Sequence, residues 1–134
     1  HLHGELTKVC SSRDPYNPQF IKELKPEEYE VKMGDKAGDG TQLRPFIVWF
    51  GEAVPEIETA IRYVEKADIF VIIGTSLAVY PAASLLHYAP EGIPVFVIDP
   101  KIPQQAHRMG YHLIEKGASE GVQELKNILL SETR

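Results

Sequence analysis

The sequence predicts an α/β chain organised around half of a doubly wound parallel sheet. Residues 69–73 form a continuous apolar, mostly β-branched run that Gly74-Thr75-Ser76 ends abruptly, the pattern of a strand buried on both faces. Residues 93–98 form a second such run, closed by Asp99-Pro100. Between 43 and 98, strand-like and helix-like stretches alternate, as they do in the units of a parallel sheet. In such sheets ligands bind outside the carboxyl ends of the strands. Gly74, Thr75 and Ser76 are therefore expected at the ligand end of a central strand.

Size and charge narrow the function classes. The 134 residues, 43% hydrophobic and 25% charged, suit one globular domain with a core of its own. A net charge of −5 argues against a nucleic-acid backbone as partner, which wants a basic face. A nucleotide stays open, because backbone amides at a strand–helix turn can hold phosphate. Cys10 is the single cysteine, so neither an intrachain disulfide nor a multi-cysteine zinc site is expected, in keeping with a reducing cytoplasm. No apolar segment approaches the length of a membrane span and no signal peptide is visible, so no membrane partner is expected. The chain opens on His1 and in mid-pattern, which reads as a fragment.

Taken in order, His1-Leu2-His3-Gly4-Glu5-Leu6 reads as a strand end meeting a turn, with both histidines on one side. On its own such a pair is also a polar face or a tag remnant. Residues 6–10 continue extended. From 11 to 41, prolines, glycines and charges interrupt any periodicity, giving a loop-rich insertion with short strands at 29–33. Residues 46–50 (Phe-Ile-Val-Trp-Phe) form a strand entered through Pro45 and broken by Gly51. Val54, Ile57, Ile61 and Val64 recur at helical spacing. A short helix is expected over 82–88, a helical turn over 104–109 and an edge strand over 111–114. Ser119 is expected to cap a last helix in which Val122, Leu125 and Leu129 share a face. Neither GxGxxG nor a P-loop occurs.

Four segments in this order resemble the sirtuins, the Sir2-type NAD-dependent protein deacylases: HGE at 3–5, LRPFIVWFGE at 43–52, GTSLAVYPAA at 74–83 and PVFVIDP at 94–100. The Gly117-Ala118-Ser119 stretch also fits. The resemblance spans nearly all of the chain but only the carboxyl-terminal half of a sirtuin; the family's GAGxS and QNxD segments are absent. It implies a Rossmann-like NAD-binding domain formed by 1–10 and 42–134, with 11–41 as a small-module insertion.

The same resemblance implies residue roles. His3 matches the catalytic histidine, the general base toward a ribose hydroxyl, and its near-neutral pKa class suits that task. The implied reaction has the acyl-lysine carbonyl oxygen attack C1′ of the nicotinamide ribose and expel nicotinamide, after which the acyl group leaves on ADP-ribose. Val48, Trp49 and Phe50 match the lining of an acyl-lysine tunnel, with Val48 offering its carbonyl and Phe50 a wall. As a strand, 48–50 would put Val48 and Phe50 on one face and Trp49 on the other, and all three also read as core. Gly51, Glu52 and the 78–80 stretch, Val79 among them, resemble edges that grip a peptide as an added strand. Gly74, Thr75 and Ser76 match contacts to ribose and phosphate, and Ala118 an adenine-side contact; Ser76 alone is equally a helix cap. Asp99 stands where many sirtuins have asparagine; its carboxylate can accept from ribose hydroxyls and would repel a 2′-phosphate. Zinc-binding members carry two cysteine pairs within 10–41, whereas this chain has only Cys10, so a zincless module is implied. Acyl-lysine proteins or peptides are the implied partners, and the isolated fragment is expected to self-associate or to pair with a missing amino-terminal half. The competing reading is a non-catalytic nucleotide-binding or sensing module.

Overall fold

The first strand owes its start to Gly4. Its φ of 85° lies in the left-handed region, and a Cβ there would sit 2.1 Å from the Phe46 carbonyl oxygen, so only glycine permits this approach of the two backbones. From that point β1 (Gly4–Ser11) runs antiparallel between β2 (Lys22–Glu23) and β3 (Leu43–Ile47). Its ladder with β3 shifts register between Glu5 and Val9. The structure is a computed structural model that describes residues 1–75, 80–104 and 106–132. It divides into two units, His1–Glu56 and Ile57–Arg134; the 11–41 insertion falls inside the first.

In the second unit, α1 (Ile57–Val64) packs on the 3₁₀ helix Ala82–Tyr88. The sheet consists of β4 (Phe70–Ile73), β5 (Val95–Ile98) and β6 (His112–Ile114), parallel and in sequence order, and α2 (Ala118–Glu132) follows. Each face of the sheet has its own cluster. Ile72 and Val97 pack with Ile102 and Ala106 on one side. On the other, Phe96, Ile98 and Ile114 pack with Leu125 of α2. The predicted α/β class with a parallel sheet is what the chain forms.

Several local expectations are corrected. His1-Leu2-His3 is a turn, closed by the Gly4 N–H on the His1 carbonyl at 3.1 Å, because the glycine conformation ends the strand there. The strand expected over 46–50 is β3, ending at Ile47, and it pairs antiparallel with β1 in the first unit instead of joining the parallel sheet. Past that residue the backbone turns, so the alternation of Val48, Trp49 and Phe50 does not apply. No strand lies over 29–33; the insertion contributes β2 and one isolated bridge, Lys36 to Gln42.

The 69–73 run is not buried on both faces. Ile72 is 5% exposed, but Val71 and Ile73 are 37% and 43% exposed. They share rows with Phe96 and Ile98, yet α2 lies over β5 and β6 and leaves the β4 end of those rows open. Ser119 lies inside α2, whose first turn closes with the Gly121 N–H on the Gly117 carbonyl. Val122 is 39% exposed; Gly121 takes the inward position, because a Cβ there would stand 2.2 Å from Ile98 Cγ2.

Candidate functional site

In the first unit the predicted residues gather where β1 begins and β3 ends. The Gly4–Ile47 pair closes the ladder, and the next link is the Val48 N–H donating to the His3 carbonyl at 3.0 Å. His3 is exposed on its turn, so its imidazole is free of packing constraints. The structure therefore joins the histidine expected as base directly to the segment expected to line an acyl-lysine site.

Beyond Val48 a polar clamp shapes the turn. Arg44 donates from Nη1 to Glu52 Oε1 at 2.6 Å and from Nη2 to Oε2 at 2.9 Å, a two-pronged pairing. Nη2 also reaches the Ile47 carbonyl at 3.3 Å. The Trp49 N–H donates to Glu52 Oε2 at 3.0 Å, and the Glu52 N–H returns to the Trp49 carbonyl at 3.0 Å. The guanidinium, then the Trp49 N–H, hold the Glu52 carboxyl below the usual carboxylate range. The same pairing raises the Arg44 pKa. Gly51 has φ 89° with open space where a Cβ would be. Phe50, 97% exposed, and Trp49, 52% exposed, project from this turn. They are not core residues in this chain.

An open groove of about 460 Å³ lies beside the two strands, lined among others by Leu2, Tyr16, Ile21, Phe46 and Val48. Its far wall comes from the insertion. The Tyr16 ring meets Phe46 edge-on, with centroids 6.3 Å apart, and its hydroxyl donates to the Ala53 carbonyl at 3.0 Å. Sequence reasoning missed Arg44 and Tyr16. The eight-residue spacing of Arg44 and Glu52 was the only available trace, and nothing in the sequence ties Tyr16 to Phe46.

The insertion is organised around Ser11, which is fully buried. Its hydroxyl donates to Asp39 Oδ2 at 2.7 Å and lies 2.9 Å from Thr41 Oγ1. It also accepts the N–H groups of Arg13 and Asp14, each at 3.0 Å. Thr41 donates to Asp39 Oδ1 at 2.7 Å. The Ser11 hydroxyl first, then that of Thr41, hold the Asp39 carboxyl at about 2. Cys10 next to it is buried, its thiol 3.8 Å from the Pro45 carbonyl oxygen, and burial pushes its pKa up. These donors fit a hydrogen-bonded hub and do not fit a thiolate zinc site.

In the second unit two of the predicted cofactor residues, Gly74 and Asp99, stand at one edge of the sheet. Ile73, Ile98 and Ile114 are aligned across the sheet, so Gly74 and Asp99 each stand one residue past the same row. Ala118 opens the helix after β6. Gly74, at φ 62°, donates its N–H to the Ile98 carbonyl at 2.9 Å and has nothing within 4 Å of where a Cβ would be. Asp99 donates its N–H to the Ile114 carbonyl at 3.3 Å, while its Oδ1 accepts from Lys101 N–H at 2.8 Å. An unobstructed glycine backbone beside a carboxylate, at the carboxyl ends of parallel strands, fits a ribose–phosphate ligand such as NAD. Thr75 follows on the same edge; Ser76 and Val79 lie outside the described residues. A larger cavity of about 520 Å³, lined by Leu86, Pro94, Val95, Tyr111 and His112 among others, sits at the opposite ends of the strands, away from these groups. Among the described residues, no three His, Cys, Asp or Glu side chains converge as a metal set.

Comparison with known proteins gives a consistent set of relatives. The model of the Sir2 family matches residues 1–81. An NAD-dependent protein deacylase of Bacteroides thetaiotaomicron is 78% identical over 130 residues, covering 97% of this chain and 56% of that protein. One of Helicobacter pylori is 43% identical, covering 93% and 52%. The chain thus spans about half the length of the curated relatives it matches. Among solved structures, a Sir2 homologue–NAD complex superposes with a TM-score of 0.76 at 31% identity, covering all of this chain and 52% of that one. A mutant Sir2 homologue with 2′-O-acetyl ADP ribose gives a TM-score of 0.75 at 29% identity, covering 98% and 52%.

Proposed function

The chain belongs to the Sir2 family, and on that premise we propose that the whole protein is an NAD-dependent protein lysine deacylase that moves the acyl group of acyl-lysine to ADP-ribose and releases nicotinamide. The observation that supports this most is the Val48 N–H bond to the His3 carbonyl, which ties the base to the acyl-lysine segment. The relative from Bacteroides thetaiotaomicron carries the deacylase name, and the ligand of one homologue is an acetylated ADP-ribose. When bound, NAD supplies the ribose carbon that the acyl oxygen attacks as nicotinamide leaves.

The chain's own groups have these roles. The exposed imidazole of His3 takes a proton from a ribose hydroxyl. The Val48 carbonyl accepts the acyl-lysine amide N–H, and Phe50 flanks the acyl-lysine stem beside Trp49. Gly51-Glu52 and Val79 offer backbone to the peptide as an added strand. Gly74, Thr75 and Ser76 approach the ribose and phosphates with backbone and hydroxyl groups. Asp99 accepts from a ribose hydroxyl, and Ala118 leaves room for the adenine. The substrates are acyl-lysine proteins in the cytoplasm, 1–10 and 42–134 act as the NAD-binding domain, and 11–41 is a small module without zinc. Neither nucleic acid nor membrane is a partner in this reading.

The experiment is release of nicotinamide from NAD by the whole protein, with and without an acetyl-lysine peptide. Release that requires the peptide is expected. NAD binding without any peptide-dependent release would favour a non-catalytic nucleotide-binding module instead.

A further inference from the structure

We propose that Arg44 and Glu52 are positioning residues for the acyl-lysine-facing turn 48–50, and that the Glu52 side chain acts through Arg44 and the Trp49 backbone without touching the peptide. The inference rests on the acyl-lysine reading of that turn. The β1–β3 ladder ends at the Gly4–Ile47 pair, and its last extension is the Val48 N–H bond to His3. Trp49 and Phe50 therefore lie where the ladder no longer holds the backbone. Trp49 is held instead by the Glu52 N–H on its carbonyl at 3.0 Å and by the Glu52 carboxylate, which receives Arg44 Nη1 at 2.6 Å, Arg44 Nη2 at 2.9 Å and the Trp49 N–H at 3.0 Å.

The pair is well placed for this. The side chains of Arg44 and Glu52 are only 19% and 32% exposed, so water screens their charges less than it would an open surface pair. Arg44 is anchored in β3 opposite Cys10, which fixes the clamp to the sheet. Three donors already converge on the Glu52 carboxylate, so a peptide N–H approaching it would have to displace one of them. The clamp bonds the backbone at Trp49, while the Trp49 and Phe50 side chains project outward. A lysine at 44 keeps the charge but loses the fork. A glutamine at 52 keeps the size but loses the charge.

The test has two arms. In the whole protein, Glu52→Gln and Arg44→Lys should each raise KM for an acetyl-lysine peptide about tenfold while KM for NAD stays within about twofold, the pattern of lost ground-state binding. Trp49 is the only tryptophan of this chain, so its fluorescence in the 134-residue protein reports on the turn. Both variants should lower its anisotropy and increase acrylamide quenching, with far-UV circular dichroism unchanged. Unchanged Trp49 quenching would show that the clamp holds nothing and overturns the proposal. Loosened Trp49 with an unaltered peptide KM, or a parallel rise in both KM values with loss of circular dichroism, overturns the positioning role. A wild-type protein that releases no nicotinamide with peptide defeats the deacylase reading itself, and the peptide part of the proposal with it; the fluorescence arm still decides the clamp.

Discussion

His3 stands on a turn that exists because Gly4 takes a conformation only glycine adopts easily and meets the Phe46 carbonyl where a Cβ could not fit. The imidazole itself is exposed, so its loss removes chemistry and little packing. In the whole protein, His3→Ala should cut peptide-dependent nicotinamide release by roughly 10²- to 10⁴-fold, the usual scale for a general base, while the melting temperature stays within a degree or two of wild type. Retained deacylation in that variant would remove His3 from the base role. The place of His3 and Gly4 where a turn meets a strand was legible from the tripeptide HGE and its order relative to LRPFIVWFGE. Arg44 was not legible. Its role is a pairing between a strand residue and a residue past the turn, and nothing in the spacing says that the chain folds back there. For the same reason the sequence suggests a strand through Phe50, since apolar content alone cannot show where a ladder runs out of partners.

At the scale of elements, two short-range devices do the work that composition leaves unassigned. The first is the hub of Ser11, Asp39 and Thr41, which ties the end of β1 to the far end of the insertion. The folded pKa of Asp39, about 2, lies below its ordinary 3.8. Its stabilising effect is therefore present above about pH 4 and is lost as pH falls toward about 2. Thermal melts from about pH 6 to about pH 2 should show wild type losing stability faster than Asp39→Asn across that window, so that the gap between them narrows; a gap independent of pH would rule the hub out. With the donors engaged in this way, purified protein should carry no stoichiometric zinc, and a chelator should leave its melting unchanged. Bound zinc at one per chain would contradict this. The second device is Gly121, where α2 meets β5 with no room for a methyl group against Ile98. Gly121→Ala should destabilise the second unit by about 1–3 kcal/mol through overpacking, read by urea unfolding, whereas the exposed Ser119→Ala should change it by less than about 0.5 kcal/mol. A Gly121→Ala protein as stable as wild type would mean the helix shifts freely. Helical periodicity picked out Leu125 and Leu129 correctly. It could not pick out Gly121, because a close approach is made by the absence of a side chain.

Two strands of the parallel sheet could be read from the runs at 69–73 and 93–98, because β-branched stretches between turn residues admit few other structures; that the 43–47 strand leaves this sheet to pair with β1 could not. Nor could the burial of the first run, since it depends on what lies across it. Rows that begin under α2 at Ile114 and Ile98 end at Ile73, which is 43% exposed, and Val71 beside it is 37% exposed. Among the described residues, β4 pairs with β5 alone within its sheet. An edge strand with an open apolar face is a template for association, and this chain covers 52% of the Sir2 homologue solved with NAD. The 134-residue chain on its own should therefore self-associate, and it should bind NAD weakly or not at all, because the contacts proposed at Gly74 and Asp99 lie along one sheet edge only. Light scattering alongside titration calorimetry with NAD measures both. Val71→Lys, which puts a charge on the open face without disturbing the Ile72 cluster, should shift the scattering toward the monomer. A wild-type chain that stays monomeric and binds NAD tightly at one per chain would show that the open face is harmless and that these residues suffice for the site.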